Sequence, residues 1–171
     1  MNSDLLPKEF RMRIDREGNW FCNDQPITNE KVYLYFIQHI VKNGKGKYEV
    51  KIKNEACALE VEDTPFVVKH AKISMESNPR VIVLLNDRTT EVLSWEQVWL
   101  QGDSQVYCQV KNGEFEARFN RNSQFAFARL LQFDEQRKRY YFEQGGTSHY
   151  LSERGTGVKS ETNLKSPDGR T

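Results

Sequence analysis

The chain has 171 residues, 37% of them apolar, and a formal net charge of +1. That is enough for one packed interior, or two small units sharing a core, with ten Phe and seven Tyr carrying much of the burial. The balanced charge excludes a global pull toward nucleic acid or an anionic membrane surface, and the longest aliphatic run, Val81–Leu85, falls far short of a helical membrane span.

In chain order, residues 1–9 read as a loose lead-in without the basic and apolar blocks of a signal peptide. A hairpin follows. Asp15 opening the turn and Gly18 in a left-handed position predict a pairing of Ile14 with Trp20 and Met12 with Cys22. Thr28 is the expected cap of a first helix carrying Val32, Phe36, Ile37, Ile40 and Val41 at helical spacing, stopped by Asn43-Gly44. Tyr48, Val50 and Ile52 alternate as a strand, as do Cys57, Leu59 and Val61. Between residues 63 and 105 lie Pro65-Phe66-Val67-Val68, a strand at Ile73, a hairpin of 80–85 with 90–95 around Asn86-Asp87, and Trp95 and Trp99.

Asn112-Gly113 is a strong two-residue turn signal. It pairs Val110 with Phe115, Cys108 with Ala117 and Val106 with Phe119 on an apolar face, and Lys111 with Glu114 and Tyr107 with Arg118 on a polar one. A second helix, capped by Asn122 or Ser123, carries Phe125, Phe127, Ala128, Leu130, Leu131 and Phe133. It is apolar around most of its circumference and is expected to be covered on two sides. The last stretch, residues 152–171, offers only Val158 and Leu164 as sizeable apolar groups and reads as a disordered tail.

The order hairpin, helix, hairpin occurs twice. Thr28 and Asn120, Tyr48 and Tyr140, and Leu59 and Leu151 are each 92 positions apart. We therefore expect an α+β protein of two ββαββ-like units, residues 10–62 and 106–151, joined by additional antiparallel strands in 63–105. Two such units meet at a seam, and seams favour small-ligand sites. In a duplicated fold the connecting aromatics, Trp95 and Trp99, are expected to pack between the copies.

The densest polar feature is Glu60-Val61-Glu62-Asp63-Thr64-Pro65-Phe66. Glu60 and Glu62 share a strand face, and Asp63 before Pro65 suits a turn. These carboxylates could serve a metal-dependent enzyme, but no nucleophile–base or metal-ligand set accompanies them, so an enzyme ranks last among the functional readings. His39, His70 and His149 lack metal-ligand spacing. Three cysteines without a C-x-x-C pair (Cys22, Cys57 and Cys108) point to free thiols in a reducing cytosol. The basic run Arg137-Lys138-Arg139 reads as a charged loop between the second helix and the next strand, not as a nucleic-acid surface. No glycine-rich phosphate loop is present, and no cofactor is implied.

Three motifs, IDREGNWFCNDQPI, EVEDTPFVV and VKNGEFEARF, occur in order within residues 10–151. Their combination resembles the bacterial domain of unknown function 1285 family. The resemblance implies a bacterial cytosolic protein with repeated motifs, a second half like a pleckstrin-homology sheet and helix, and a nucleotide-like ligand with a signalling role in the cleft between the halves. It brings no catalytic residues.

The expectation is a non-enzymatic ligand-binding or regulatory protein with its site at the seam, lined by Trp20, Asp63, Pro65, Phe66, Arg118 and Arg129. An arginine would hold phosphate through paired hydrogen bonds and an aromatic would stack the base. The alternative is a protein-interaction module, or a homodimer formed through the apolar second helix.

Overall fold

Residues 10–154, apart from 75 and 103, are described by a computed structural model. The expected tail beyond Arg154 and the lead-in before Phe10 lie outside the described residues. The architecture is α+β: strands dominate and two short α-helices interrupt them.

The first unit runs β1 (Met12–Ile14), β2 (Trp20–Cys22), β3 (Gln25–Pro26), α1 (Glu30–Ile37), β4 (Ile40–Lys42), β5 (Tyr48–Ile52) and β6 (Glu55–Val61). The predicted register holds, with Ile14 opposite Trp20 and Met12 opposite Cys22. Gly18 takes φ +85° and its N–H bonds the Asp15 carbonyl at 3.0 Å. β6 then returns alongside β1 in parallel, Met12 opposite Leu59, so hairpin and meander close one six-stranded sheet in the order β3-β2-β1-β6-β5-β4.

The connecting segment forms β7 (Phe66–Ile73), β8 (Val81–Leu85), β9 (Thr90–Leu93), a single 3₁₀ turn at Trp95–Gln97, and β10 (Val98–Gln101). The second unit is β11 (Gln105–Val110), β12 (Phe115–Phe119), α2 (Arg121–Ala128), β13 (Gln132–Asp134), β14 (Arg139–Gln144) and β15 (Thr147–Tyr150). Its hairpin has Val110 opposite Phe115 and Tyr107 opposite Arg118. Asn112 and Gly113 both take positive φ, 57° and 80°, as the tight turn requires. β12 lies parallel to β7, which joins the connecting strands and the second hairpin in a seven-stranded sheet, while β13–β15 form a separate three-stranded one.

The duplication is visible in the pairings. Glu49 faces Ala58 in the first meander, and Tyr141 faces Tyr150 in the second, each residue displaced by 92. The copies differ at their ends. β6 pairs with its own hairpin, whereas after β15 the chain continues as β16 (Ser152–Arg154), which lies parallel to β10. The expected tail therefore begins with a strand. Buried side chains from both units and the connecting strands, among them Ile14, Val50, Leu59, Val68, Leu85, Cys108, Phe119 and Phe127, form one continuous core.

Both helices are shorter than their apolar periodicity suggests. Asn29, not Thr28, caps α1, its side chain accepting from the Lys31 and Val32 N–H groups. The helix stops at Ile37, and Ile40 and Val41 enter β4, where β-branched residues find cross-strand partners in β5. Asn120 caps α2 through the Ser123 N–H, in place of Asn122 or Ser123. α2 ends before Leu130, and Phe133 belongs to β13. Only its Ser123 and Phe127 face is buried, while Phe125 stays 68% exposed, so the two-sided cover expected for this helix is not present.

The connecting tryptophans pack within the second unit and not between the copies. Trp95 touches Phe127 and Phe142, and Trp99 stacks on Tyr107 at 6.0 Å with the Arg154 guanidinium on its ring. The basic run lies between β13 and β14, where Arg137 and Arg139 sit on the Tyr150 ring and Lys138 pairs with Glu135. All three cysteines are free.

Candidate functional site at the seam

The turn Asp15–Gly18 of the first unit is pressed against the seven-stranded sheet. Gly18 fits there because it has no side chain: a Cβ would lie 2.6 Å from Cγ2 of buried Val67. Beside it, Arg118 on β12 crosses the seam. Its Nη1 donates to the Arg16 carbonyl at 2.9 Å and to Glu17 Oε1 at 3.2 Å, and its Nε lies 3.6 Å from Asp63 Oδ2. Asp63 also accepts from the Tyr107 hydroxyl at 2.9 Å. Thr64 fixes this corner, its hydroxyl accepting from the Arg118 N–H and donating to the Phe66 carbonyl. Burial, the hydrogen bond to Asp63 and that carboxylate's charge push the Tyr107 phenol up to about 12.

Two hollows open along this seam. The smaller, about 420 Å³, is lined by Arg16, Asp63, Gln101, Gly102, Gln105, Tyr107 and Arg118. The larger, about 830 Å³, lies between the first hairpin with α1 and the β7–β8 pair. Apolar atoms of Trp20, Phe21, Ile27, Leu84 and Leu85 line it together with Tyr33, Asn86, Lys69, His70 and Arg88. Tyr33 donates its hydroxyl to the Asn86 carbonyl. Its phenol is pushed well up, first by burial and then by the Asp87 and Glu30 charges. Arg88 pairs with Glu30 at the rim, while Lys69 and His70 are exposed.

The structure divides the residues expected to line the seam. Asp63 and Arg118 meet in the smaller hollow and Trp20 borders the larger one. Trp20 is buried to 2%, stacked on Phe36, and its Nε1 has no protein partner. Pro65 and Phe66 are buried behind the corner, Phe66 packing edge-on against Phe115. Arg129 ends α2 on the surface, and no contact joins it to the others. Arg118 is already bonded to two carboxylates and a carbonyl, which leaves little of it for a phosphate.

The acidic strand end does not converge on one point. Glu60 pairs with Arg11, Glu62 with Arg13, and Asp63 with Arg118. Among the described residues no three His, Cys, Asp or Glu side chains are grouped to hold a metal ion, and no helix is long and apolar enough to cross a membrane.

Sequence reasoning did not place Tyr107, Lys69, His70, Asn86 or Arg88 among the residues lining the seam. Tyr107 was within reach, since the hairpin register places it directly opposite Arg118. The others come from β7 and the β8–β9 turn, whose docking against the first hairpin has no local signal.

No family model and no curated protein matches the chain. Solved structures do. A DUF1285 family protein from Silicibacter pomeroyi superposes with a TM-score of 0.65 over 82% of this chain and 79% of its own, at 18% identity. A second, from Shewanella baltica, gives a TM-score of 0.57 over 69% of this chain and 90% of its own, at 17% identity. At these identities the superpositions establish the fold, and the chain has the fold of DUF1285 family proteins.

Proposed function

We propose that this is a non-enzymatic small-ligand-binding or regulatory protein of the bacterial cytosol. Its ligand is nucleotide-like, a flat ring carrying an anionic group, and occupies the larger hollow at the seam. The observation that carries this reading is the hollow itself. At about 830 Å³ it falls in the range of small-molecule sites, roughly 300–1,000 Å³. Its lining pairs aromatic and aliphatic surface with three basic side chains, Lys69, His70 and Arg88, the combination a ring bearing phosphate needs. Lys69 and His70 are the exposed groups there without a carboxylate partner among the described residues.

Thermal melting against a panel of nucleoside mono-, di- and triphosphates tests it. At a ligand concentration of about 100 times Kd the native state gains about 2.7 kcal/mol, a rise of several degrees in Tm. No shift with any of them at millimolar concentration contradicts the reading.

A second reading rests on a separate observation. Phe125, Leu130 and Phe133 on and after α2 are 68%, 42% and 42% exposed, which suits self-association or a protein partner. If α2 mediates a homodimer, light scattering gives a mass near 40 kDa, twice the 20.1 kDa chain, and Phe125→Asp returns it to the monomer value. A monomer for the unmodified protein at every concentration rules out the homodimer.

A further inference from the structure

We propose that the smaller hollow is a second and separate site, which takes a small oxyanion-bearing molecule anchored by Arg16. The site is assembled across the seam: Arg16 from the turn of the first hairpin, Asp63 from the link between β6 and β7, and Gln101, Gln105, Tyr107 and Arg118 from the strands of the seven-stranded sheet.

The charges around it are arranged asymmetrically. Arg118 is offset by Asp63 and Glu17, and the Tyr107 hydroxyl is spent on Asp63. No carboxylate among the described residues pairs with the Arg16 guanidinium, although it borders the hollow. Arg16 is nevertheless held in place. Its N–H donates to Glu62 Oε2 at 3.1 Å and its carbonyl accepts from Arg118 at 2.9 Å, so the backbone is pinned from both sides of the seam while the side chain is left to bind. Gln101, whose Oε1 accepts from the Trp99 indole, keeps its amide N–H₂ as a further donor at the edge of the same space. A planar guanidinium on a fixed backbone, next to a neutralised Arg–Asp pair, is suited to paired hydrogen bonds with a carboxylate or phosphate. The Asp63 charge is offset within the hollow by Arg118, 3.6 Å away, and by the Tyr107 hydroxyl, which donates to it.

The test is an amide-proton NMR titration of the full chain with inorganic phosphate and, separately, acetate. The unmodified protein, Arg16→Gln, Arg16→Lys and Lys69→Gln are compared. The expected result is saturable shifts at residues 16–17, 101–102 and 105. Affinity falls about tenfold or more in Arg16→Gln, falls less in Arg16→Lys, and is unchanged in Lys69→Gln, which belongs to the larger hollow. Saturation by phosphate alone assigns a phosphate group, and saturation by acetate as well assigns a wider class of oxyanion. The Arg16 side chain is exposed, so the melting temperature of Arg16→Gln in the absence of ligand should match the parent's. Failure of either anion to saturate these residues, or equal affinity in Arg16→Gln, overturns the proposal whatever the larger hollow binds.

Discussion

Replacing Lys111 by Met lowers stability by about 3 kcal/mol, a fall of roughly 10 °C in Tm for a domain of this size. The physical cause is a nearly buried ion pair. Asp87, 5% exposed at the tip of the β8–β9 turn, receives the Lys111 ammonium at 2.6 Å, and that ammonium also reaches Thr89 Oγ1 at 2.7 Å and lies 5.3 Å from the centre of the Phe66 ring. The Lys111 N–H meanwhile donates to Glu91 at 2.9 Å. This cluster ties the tip of the β11–β12 hairpin to the β8–β9 hairpin across the sheet. Methionine keeps the length of the side chain but removes the ammonium from Asp87 and from the Phe66 ring, leaving the Asp87 carboxylate with only its Thr89 bonds, and a buried charge deprived of its partner is strongly destabilising. In the Asp87→Asn background the same Lys111→Met change costs less, because no buried charge is stranded. A double-mutant cycle by urea unfolding measures that coupling. Additive single effects would show that the pair contributes nothing of its own.

The same pair carries a pH signature. Burial pushes the Asp87 carboxyl up, but hydrogen bonds from Lys111 and Thr89, together with the ammonium's charge, outweigh it and hold the group below its ordinary value. The unfolded chain therefore binds this proton more tightly than the folded one. The stabilisation is complete above the unfolded carboxylate value of about 3.9 and is lost as pH falls through the lower folded value. The stability gap between the parent and Asp87→Asn should be widest at neutral pH and shrink below pH 4.

Gly18→Ala is expected to destabilise by about 2–3 kcal/mol, more than Gly113→Ala, for which about 1 kcal/mol is expected. Both glycines take positive φ, +85° and +80°, so each alanine carries the same backbone strain. They differ in their surroundings. A Cβ at position 113 meets nothing within 4 Å, whereas one at 18 comes within 2.6 Å of Val67 Cγ2, and Val67 is 2% exposed on β7 with no room to retreat. The excess is thus a measure of how tightly the first unit's turn is pressed onto the second sheet. Trimming the neighbour tests the assignment: Gly18→Ala should cost less in a Val67→Ala background. Equal costs at 18 and 113 by chemical denaturation would mean that the turn is not clamped at the seam.

What could be read from the amino-acid order follows from the range of each interaction. Both hairpin registers and the Asn-Gly turn depend on neighbours a few residues apart, and the structure keeps them. The expected helices overran because apolar residues continue at helical spacing through Ile40-Val41 and on to Phe133, which enter β4 and β13. The competing signal, a strand partner in β5 or β14, lies further along the chain. At the seam Asp63 and Arg118 meet, and Arg118 is spent on holding the two units together. Lys69, His70 and Asn86 border the larger hollow where the Asp15–Gly18 turn docks on the β7–β8 pair, a contact between segments about 50 or more residues apart. Arg129 is local to α2, and nothing in the fold brings it to the seam.

The most direct test of a ligand site between the two units is a calorimetric titration of the intact chain with nucleoside phosphates, carried out in parallel on Lys69→Gln and on Arg16→Gln. The account predicts that at least one of them binds saturably in the larger hollow, with that affinity about tenfold weaker in Lys69→Gln and kept in Arg16→Gln, which removes only binding at the smaller hollow. Heats that never saturate at millimolar nucleotide, or binding untouched by the loss of the Lys69 charge, would contradict it.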